Sequence, residues 1–98
     1  RQDFSLTKTV DVELIPGPNQ ILSMQSSDVV KIKVSGPRTA LRKFVASGLG
    51  QLVSIDISQK ADGDIDVEIP TKLIDVPFGV KVISVKPSVI HARVLKKP

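Results

Sequence analysis

Val29-Val30-Lys31-Ile32-Lys33-Val34-Ser35-Gly36-Pro37-Arg38-Thr39-Ala40-Leu41-Arg42-Lys43-Phe44-Val45-Ala46 carries two structural periods, one after the other. Val30, Ile32 and Val34 fall on one face at period 2, with Lys31 and Lys33 on the other, the pattern of a half-buried strand. Ser35-Gly36-Pro37 breaks that rhythm. Beyond it Leu41, Phe44 and Val45 stand at i, i+3 and i+4, which makes one apolar helical stripe. Pro37 suits the first turn of a helix, where its missing N–H costs nothing. Gly48 offers a left-handed stop. The spacing therefore predicts one short helix over 37–46, with Arg38, Arg42 and Lys43 off its apolar stripe.

The sequence on either side returns to strands. Val10, Val12 and Leu14 alternate with Thr9, Asp11 and Glu13 over 8–15, and Pro16-Gly17-Pro18-Asn19 ends that run. Residues 21–24 predict a short edge strand, and Ser26-Ser27-Asp28 a turn. Val53, Ile55 and Ile57 define a strand over 52–57. After a turn at 60–63, Ile65, Val67 and Ile69 define the next, so the two read as a hairpin. Residues 80–85 slip phase between Val80, Val82, Ile83 and Val85, which predicts a bulge or burial on both faces. Residues 89–95 form the last strand. The fold class is mainly β, a small barrel or two-layer sandwich of six to eight short strands with one helix. Strands and helices do not alternate, which argues against a doubly wound parallel sheet.

With 98 residues the chain suffices for a single domain, 1–98, with a thin core. Residues 1–7 and 96–98 are expected to be flexible or linker. Without cysteine, neither disulfides nor thiolate metal sites contribute, and stability rests on Val, Ile and Leu packing. The net charge of +4 permits an acidic partner. The sequence holds no transmembrane run and no signal peptide. It begins at Arg1, and it is expected to be a piece of a longer protein.

Residues able to do chemistry are few. His91 is the sole histidine. It shares the polar face of its strand with Arg93, and no acid and serine in a nucleophile elbow accompany it. Asp64, Asp66 and Glu68 line one strand face. Side chains two residues apart on a strand stand about 7 Å apart, too far to share one calcium ion without loop carbonyls. An acidic face opposite Lys31 and Lys33 would instead help set strand register through ion pairs. The glycines match no phosphate loop. The chain has no Tyr or Trp and only Phe4, Phe44 and Phe78, a poor supply for a nucleic-acid stacking platform. No catalytic residue, metal or cofactor is expected.

Four segments in order resemble the YbbR-like domain family: Val30 to Pro37 followed by Leu41; Ile55-Asp56-Ile57-Ser58 followed by Gly63; Val76-Pro77-Phe78-Gly79-Val80-Lys81-Val82; and Val85-Lys86-Pro87-Ser88-Val89-Ile90. The resemblance implies a β-rich fold similar to the C-terminal domain of a ribosomal protein of the 5S RNA-binding family. It also implies an extracytoplasmic, non-catalytic module that binds protein and is anchored by an N-terminal helix outside these residues. In many Gram-positive bacteria the protein carrying such domains regulates a membrane-bound diadenylate cyclase, the partner this resemblance implies. Arg38, Arg42 and Lys43 on the helix are the candidate protein contacts. No nucleic acid is expected as partner, and contact with the membrane only through the anchor. RNA binding of the ribosomal-protein type is the alternative reading, suggested by the basic charge and the implied fold.

Overall fold

The computed structural model describes residues 3–98. Its strands are β1 (Phe4–Ile15), β2 (Gln20–Gln25), β3 (Val29–Gly36), β4 (Leu52–Asp56), β5 (Gly63–Glu68), β6 (Lys81–Lys86) and β7 (Val89–Lys96). The helix α1 (Arg38–Ala46) follows β3, and one 3₁₀ turn occupies Thr71–Leu73. One sheet has the order β4-β1-β3-β6 and the other β2-β7-β5. Neither closes on itself, so of the two expected architectures the two-layer sandwich is the one formed.

The molecule measures 57 × 19 × 17 Å. Its radius of gyration, 15.6 Å, exceeds the roughly 13 Å of a compact 100-residue domain, so the sandwich is a rod. β1 explains the length: twelve residues extend about 40 Å at strand rise. Its first part, Phe4 to Asp11, pairs antiparallel with β3. Its last part, Asp11 to Ile15, pairs parallel with β4. One strand thus joins two staggered partners. This corrects the expectation that residues 1–7 are linker: 4–7 belong to β1, because Leu6 packs against the core and the ladder to β3 runs out to Phe4. Residues 1 and 2 lie outside the described residues. At the other end Lys96 still pairs, with Gln20, and Lys97 donates its backbone N–H to Asn19 at 2.8 Å.

The expected hairpin between 52–57 and 65–69 does not form. β4 adds to β1 in the first sheet, while β5 pairs with β7 in the second. The loop between them therefore crosses from layer to layer. Local spacing predicts strands well, but it carries no information on which sheet each one joins. The same topology separates β3 from the acidic strand β5. Lys31 instead stands opposite Lys86, and Lys33 opposite Ser84. Like charges directly opposite on neighbouring strands repel. Lys86→Glu is therefore expected to raise the melting temperature slightly, and the gain should shrink as salt is added; thermal melts at low and high ionic strength check this.

The phase slip in residues 80–85 is a bulge. Lys33 pairs with Ser84 and Val34 with Val82, so Ile83 has no opposite residue. It turns outward, and Val85 regains the core. A second bulge lies on β2 at Ser23, between Leu22 opposite Val94 and Met24 opposite Arg93.

Inward side chains from both sheets and from α1 form one apolar core: Val10, Val12, Val30, Ile32 and Val34 from one layer, Val67, Ile90, Ala92 and Val94 from the other, and Leu41 and Phe44 from the helix. Among the described residues, no polar or charged side chain is buried. The helix follows the expected range, with Pro37 as its N-cap. Two details differ from expectation. Val45 is exposed, and Ala40 takes its place on the buried side with Leu41 and Phe44. Gly48 does not adopt a left-handed conformation. Ser47 closes the helix instead: its backbone N–H donates to Lys43 O, its hydroxyl donates to Phe44 O, and the same hydroxyl accepts from Leu49 N–H.

Candidate interaction surface

The three basic residues of α1 do not act as one group. Arg38 and Arg42, one helical turn apart, line an open groove of about 320 Å³ together with Phe4, Leu6, Leu41 and Val45. Arg38 lies flat over the Phe4 ring, 4.6 Å from its centroid. Lys43 points elsewhere, because residues 42 and 43 are turned about 100° apart on a helix of 3.6 residues per turn. The groove is walled by β1 on one side and by α1 on the other, with the two guanidinium groups at its rim. It is apolar inside because Phe4 and Leu6 follow the inward parity of β1, and because Leu41 and the exposed Val45, four residues apart, share one face of the helix.

The face carrying His91 is a ladder of exposed polar contacts. β5 and β7 place Asp66 opposite His91 and Asp64 opposite Arg93. Arg93 Nε donates to Asp64 Oδ1 at 2.8 Å, and His91 Nδ1 meets Asp66 Oδ1. The hydrogen bond that Arg93 donates to Asp64, and then the Asp64 charge, hold the Arg93 proton more firmly than usual. Sequence reading put the acids on one strand and His91 with Arg93 on another, but β pairing across a gap of more than twenty residues could not be read from either. Ser26 also meets His91, through the backbone: His91 N–H donates to Ser26 Oγ at 2.9 Å and Ser26 N–H donates to His91 O at 2.8 Å. The serine oxygen is thus engaged by the main chain rather than by the imidazole, which is not the arrangement that activates a nucleophile. No cluster of ligand-type side chains among the described residues could hold a metal ion, and no helix of the described residues is long and apolar enough to cross a membrane.

A separate acid holds the loop out of β4. The Asp56 carboxyl accepts from Ser58, first from its hydroxyl and then from its backbone N–H, and its pKa lies below the usual carboxylate range. A depressed folded-state pKa contributes stability above the unfolded value, and that contribution disappears as pH falls through the folded value. An NMR pH titration is expected to place the Asp56 midpoint below that of an unstructured aspartate. Ser58→Ala, which removes the largest cause, should move the midpoint back up.

Aromatic side chains divide three ways. Phe44 is fully buried, Phe4 is partly covered by Arg38, and Phe78 is fully exposed at a turn. That turn closes through Val80 N–H to Pro77 O at 3.1 Å, and Gly79 takes φ +92° at its third position. A type II turn requires this conformation there, and only glycine adopts it readily.

The same fold recurs in solved structures. The chain superposes on a Bacillus halodurans protein with TM-score 0.77 at 16% identity, covering 100% of this chain and 81% of that one. It superposes on a YbbR-like domain of a Listeria monocytogenes protein with TM-score 0.71 at 21% identity, covering 100% and 97%. This is the YbbR-like fold. A YbbR-like protein from Streptococcus pneumoniae gives TM-score 0.78 at 20% identity over 98% of this chain, which spans 48% of that longer one. No family model matches the sequence, and no curated protein matches it. The YbbR-like fold is therefore carried by the backbone at identities where few side chains are shared.

Proposed function

We propose that this chain is a YbbR-like domain acting as a non-catalytic, extracytoplasmic protein-interaction module, held at the membrane by a helix outside these residues, in a protein that regulates a membrane-bound diadenylate cyclase. The observation that carries the reading is the fold: the whole chain superposes on a Listeria monocytogenes YbbR-like domain that it covers almost completely. The exterior supports it. The residues best suited to acid–base or nucleophilic work, His91, Asp66 and Ser26, lie on an exposed sheet face, where the His91 ring meets Asp66 and the His91 backbone occupies Ser26. A rod 57 Å long offers several docking surfaces along its length, and those surfaces are the means by which a domain without reaction chemistry regulates an enzyme.

The test is made with the full-length protein. Co-expressed with a diadenylate cyclase in a bacterial host that makes no cyclic di-AMP of its own, it is expected to change the cyclic di-AMP level. The change should disappear when this domain is deleted. An unchanged level with both proteins present in the membrane would refute the regulatory reading. RNA affinity that falls steeply with salt would favour a cytoplasmic RNA-binding module instead.

A further inference from the structure

We infer that the free edge of β1, together with the apolar groove beside it, is a docking site for one extended, apolar and acidic segment of a partner protein, which adds to the first sheet as an extra strand. The inference rests on the protein-interaction reading above and names the surface that performs it.

The edge follows from the stagger of the first sheet. On one side β1 pairs with β3 from Phe4 to Asp11; on the other, β4 begins only at Asp11. Backbone parity says which residues face that second side. Asp11 N–H donates to Gln51 O, and Ile15 O accepts from Ile57 N–H, so the odd-numbered residues direct their peptide groups toward β4. Val12 N–H donates the opposite way, to Asp28 O. By the same parity, Ser5 and Thr7 direct N–H and C=O toward the side where β4 is absent. Among the described residues, no backbone or side-chain hydrogen bond reaches them from that side. An unpaired strand edge of this kind is a template for strand addition. The strand has a natural limit: Lys8 Nζ donates to Leu49 O at 2.9 Å and holds the α1–β4 connection against the later part of β1.

The groove supplies selectivity. A strand added beside Phe4–Lys8 would point alternate side chains inward, under α1, between Leu6 and Leu41 and past Val45. Those positions accept aliphatic groups. Arg38 and Arg42 stand at the rim, and no carboxylate lines the groove. An inward carboxylate would therefore meet two guanidinium groups, which favour bidentate pairing. A basic segment would meet the same two charges as repulsion. The occupant is thus an extended segment whose inward positions combine aliphatic residues with at least one Asp or Glu.

The probes are two capped octapeptides, TVTETVTE and TVTKTVTK, titrated into the ¹⁵N-labelled chain. The glutamate peptide is expected to shift the amides of Ser5 and Thr7 and to slow their hydrogen exchange, and to bind at least about tenfold more tightly than the lysine peptide. Thr7→Pro removes an N–H that faces the open edge and no native ladder bond, so the fold should persist, judged by the amide spectrum, while binding is lost. Arg42→Glu should reverse the preference between the peptides and leaves the edge itself intact. Shifts mapped to the β6 or β2 edge, equal affinity for both peptides, or no binding of either would overturn the inference. The two readings fail separately. If the full-length protein alters cyclic di-AMP and the Thr7→Pro and Arg42→Glu variants do so equally, the edge site falls and the module reading stands.

Discussion

Replacing Phe44 by alanine is expected to destabilise the domain by about 3–5 kcal/mol, the range for truncating a buried aromatic residue. Phe44 is the largest fully buried side chain of the core, and it is the helix's principal attachment to the sheets. Few side chains could relax into the vacated space. Its ring lies beneath Lys8 Nζ, 4.5 Å from the centroid, and beside the backbone at Gly50. Both are fixed from elsewhere, Lys8 by β1 and by Leu49 O. Because small domains are typically stable by only about 5–15 kcal/mol, this single change should remove a large share of the total. Denaturant unfolding followed by circular dichroism checks it, with the midpoint falling and the slope unchanged. A loss under 1 kcal/mol would mean that α1 contributes little to the core. Ligand effects should follow too, since Leu41 and Val45 wall the groove only while α1 stays docked.

The elements themselves were legible in the sequence because each is a local pattern. Val10, Val12 and Leu14, then Val30, Ile32 and Val34, alternate plainly, and Leu41 with Phe44 marks the helix. The bulge at Ile83 was visible as a phase slip, since an extra residue necessarily inverts the parity of those after it. Sheet membership was not legible. Residues 52–57 and 65–69 satisfy the same hairpin pattern whether they pair with each other or part into two layers, and the outcome depends on contacts with β1 and β7 that lie far away in sequence. The linker expectation for 4–7 failed for a related reason: Leu6 is the only aliphatic residue before Val10, too little for a periodic signal, yet β3 is long enough to pair with it. Arg38 and Arg42 were identifiable as off-stripe residues on one helix. Their companions Phe4 and Leu6 were not, because only the β1–β3 register brings the start of the chain beneath α1. The pairs Asp64–Arg93 and Asp66–His91 depended likewise on register between distant strands.

Gly36→Ala is expected to cost at least about 1–3 kcal/mol, the usual range for overpacking, although it adds only a methyl group and Gly36 has no unusual backbone conformation. A Cβ at Gly36 would lie 2.5 Å from the carbonyl oxygen of Gly79 and 3.4 Å from Val80 Cα. The obstruction is main chain, so no side chain can swing aside; β3 and the Pro77–Val80 turn would have to separate. That separation would propagate in both directions. Gly36 is paired with Phe4 at the end of the β1 ladder, while Gly79 lies against Ala40 on α1 and is held at φ +92° by its turn. The two glycines therefore form a contact at which β1, β3, α1 and the turn before β6 converge, at the end of the rod that carries Phe4, Arg38 and Phe78. Gly48→Ala is the matched control: a Cβ there would meet nothing within 4 Å, and a surface change without such a contact stays within about 0.5 kcal/mol. Parallel denaturant titrations of the two variants compare them directly. Equal losses would mean that the alanine effect is a general backbone cost rather than a collision, and the close approach of Gly36 to Gly79 would then not be what sets the spacing of this end. A large loss at Gly36 alone would tie the geometry of the groove to one contact: the same approach that seats α1 over β1 fixes how far the helix stands from the free edge, and therefore how wide a side chain the groove admits.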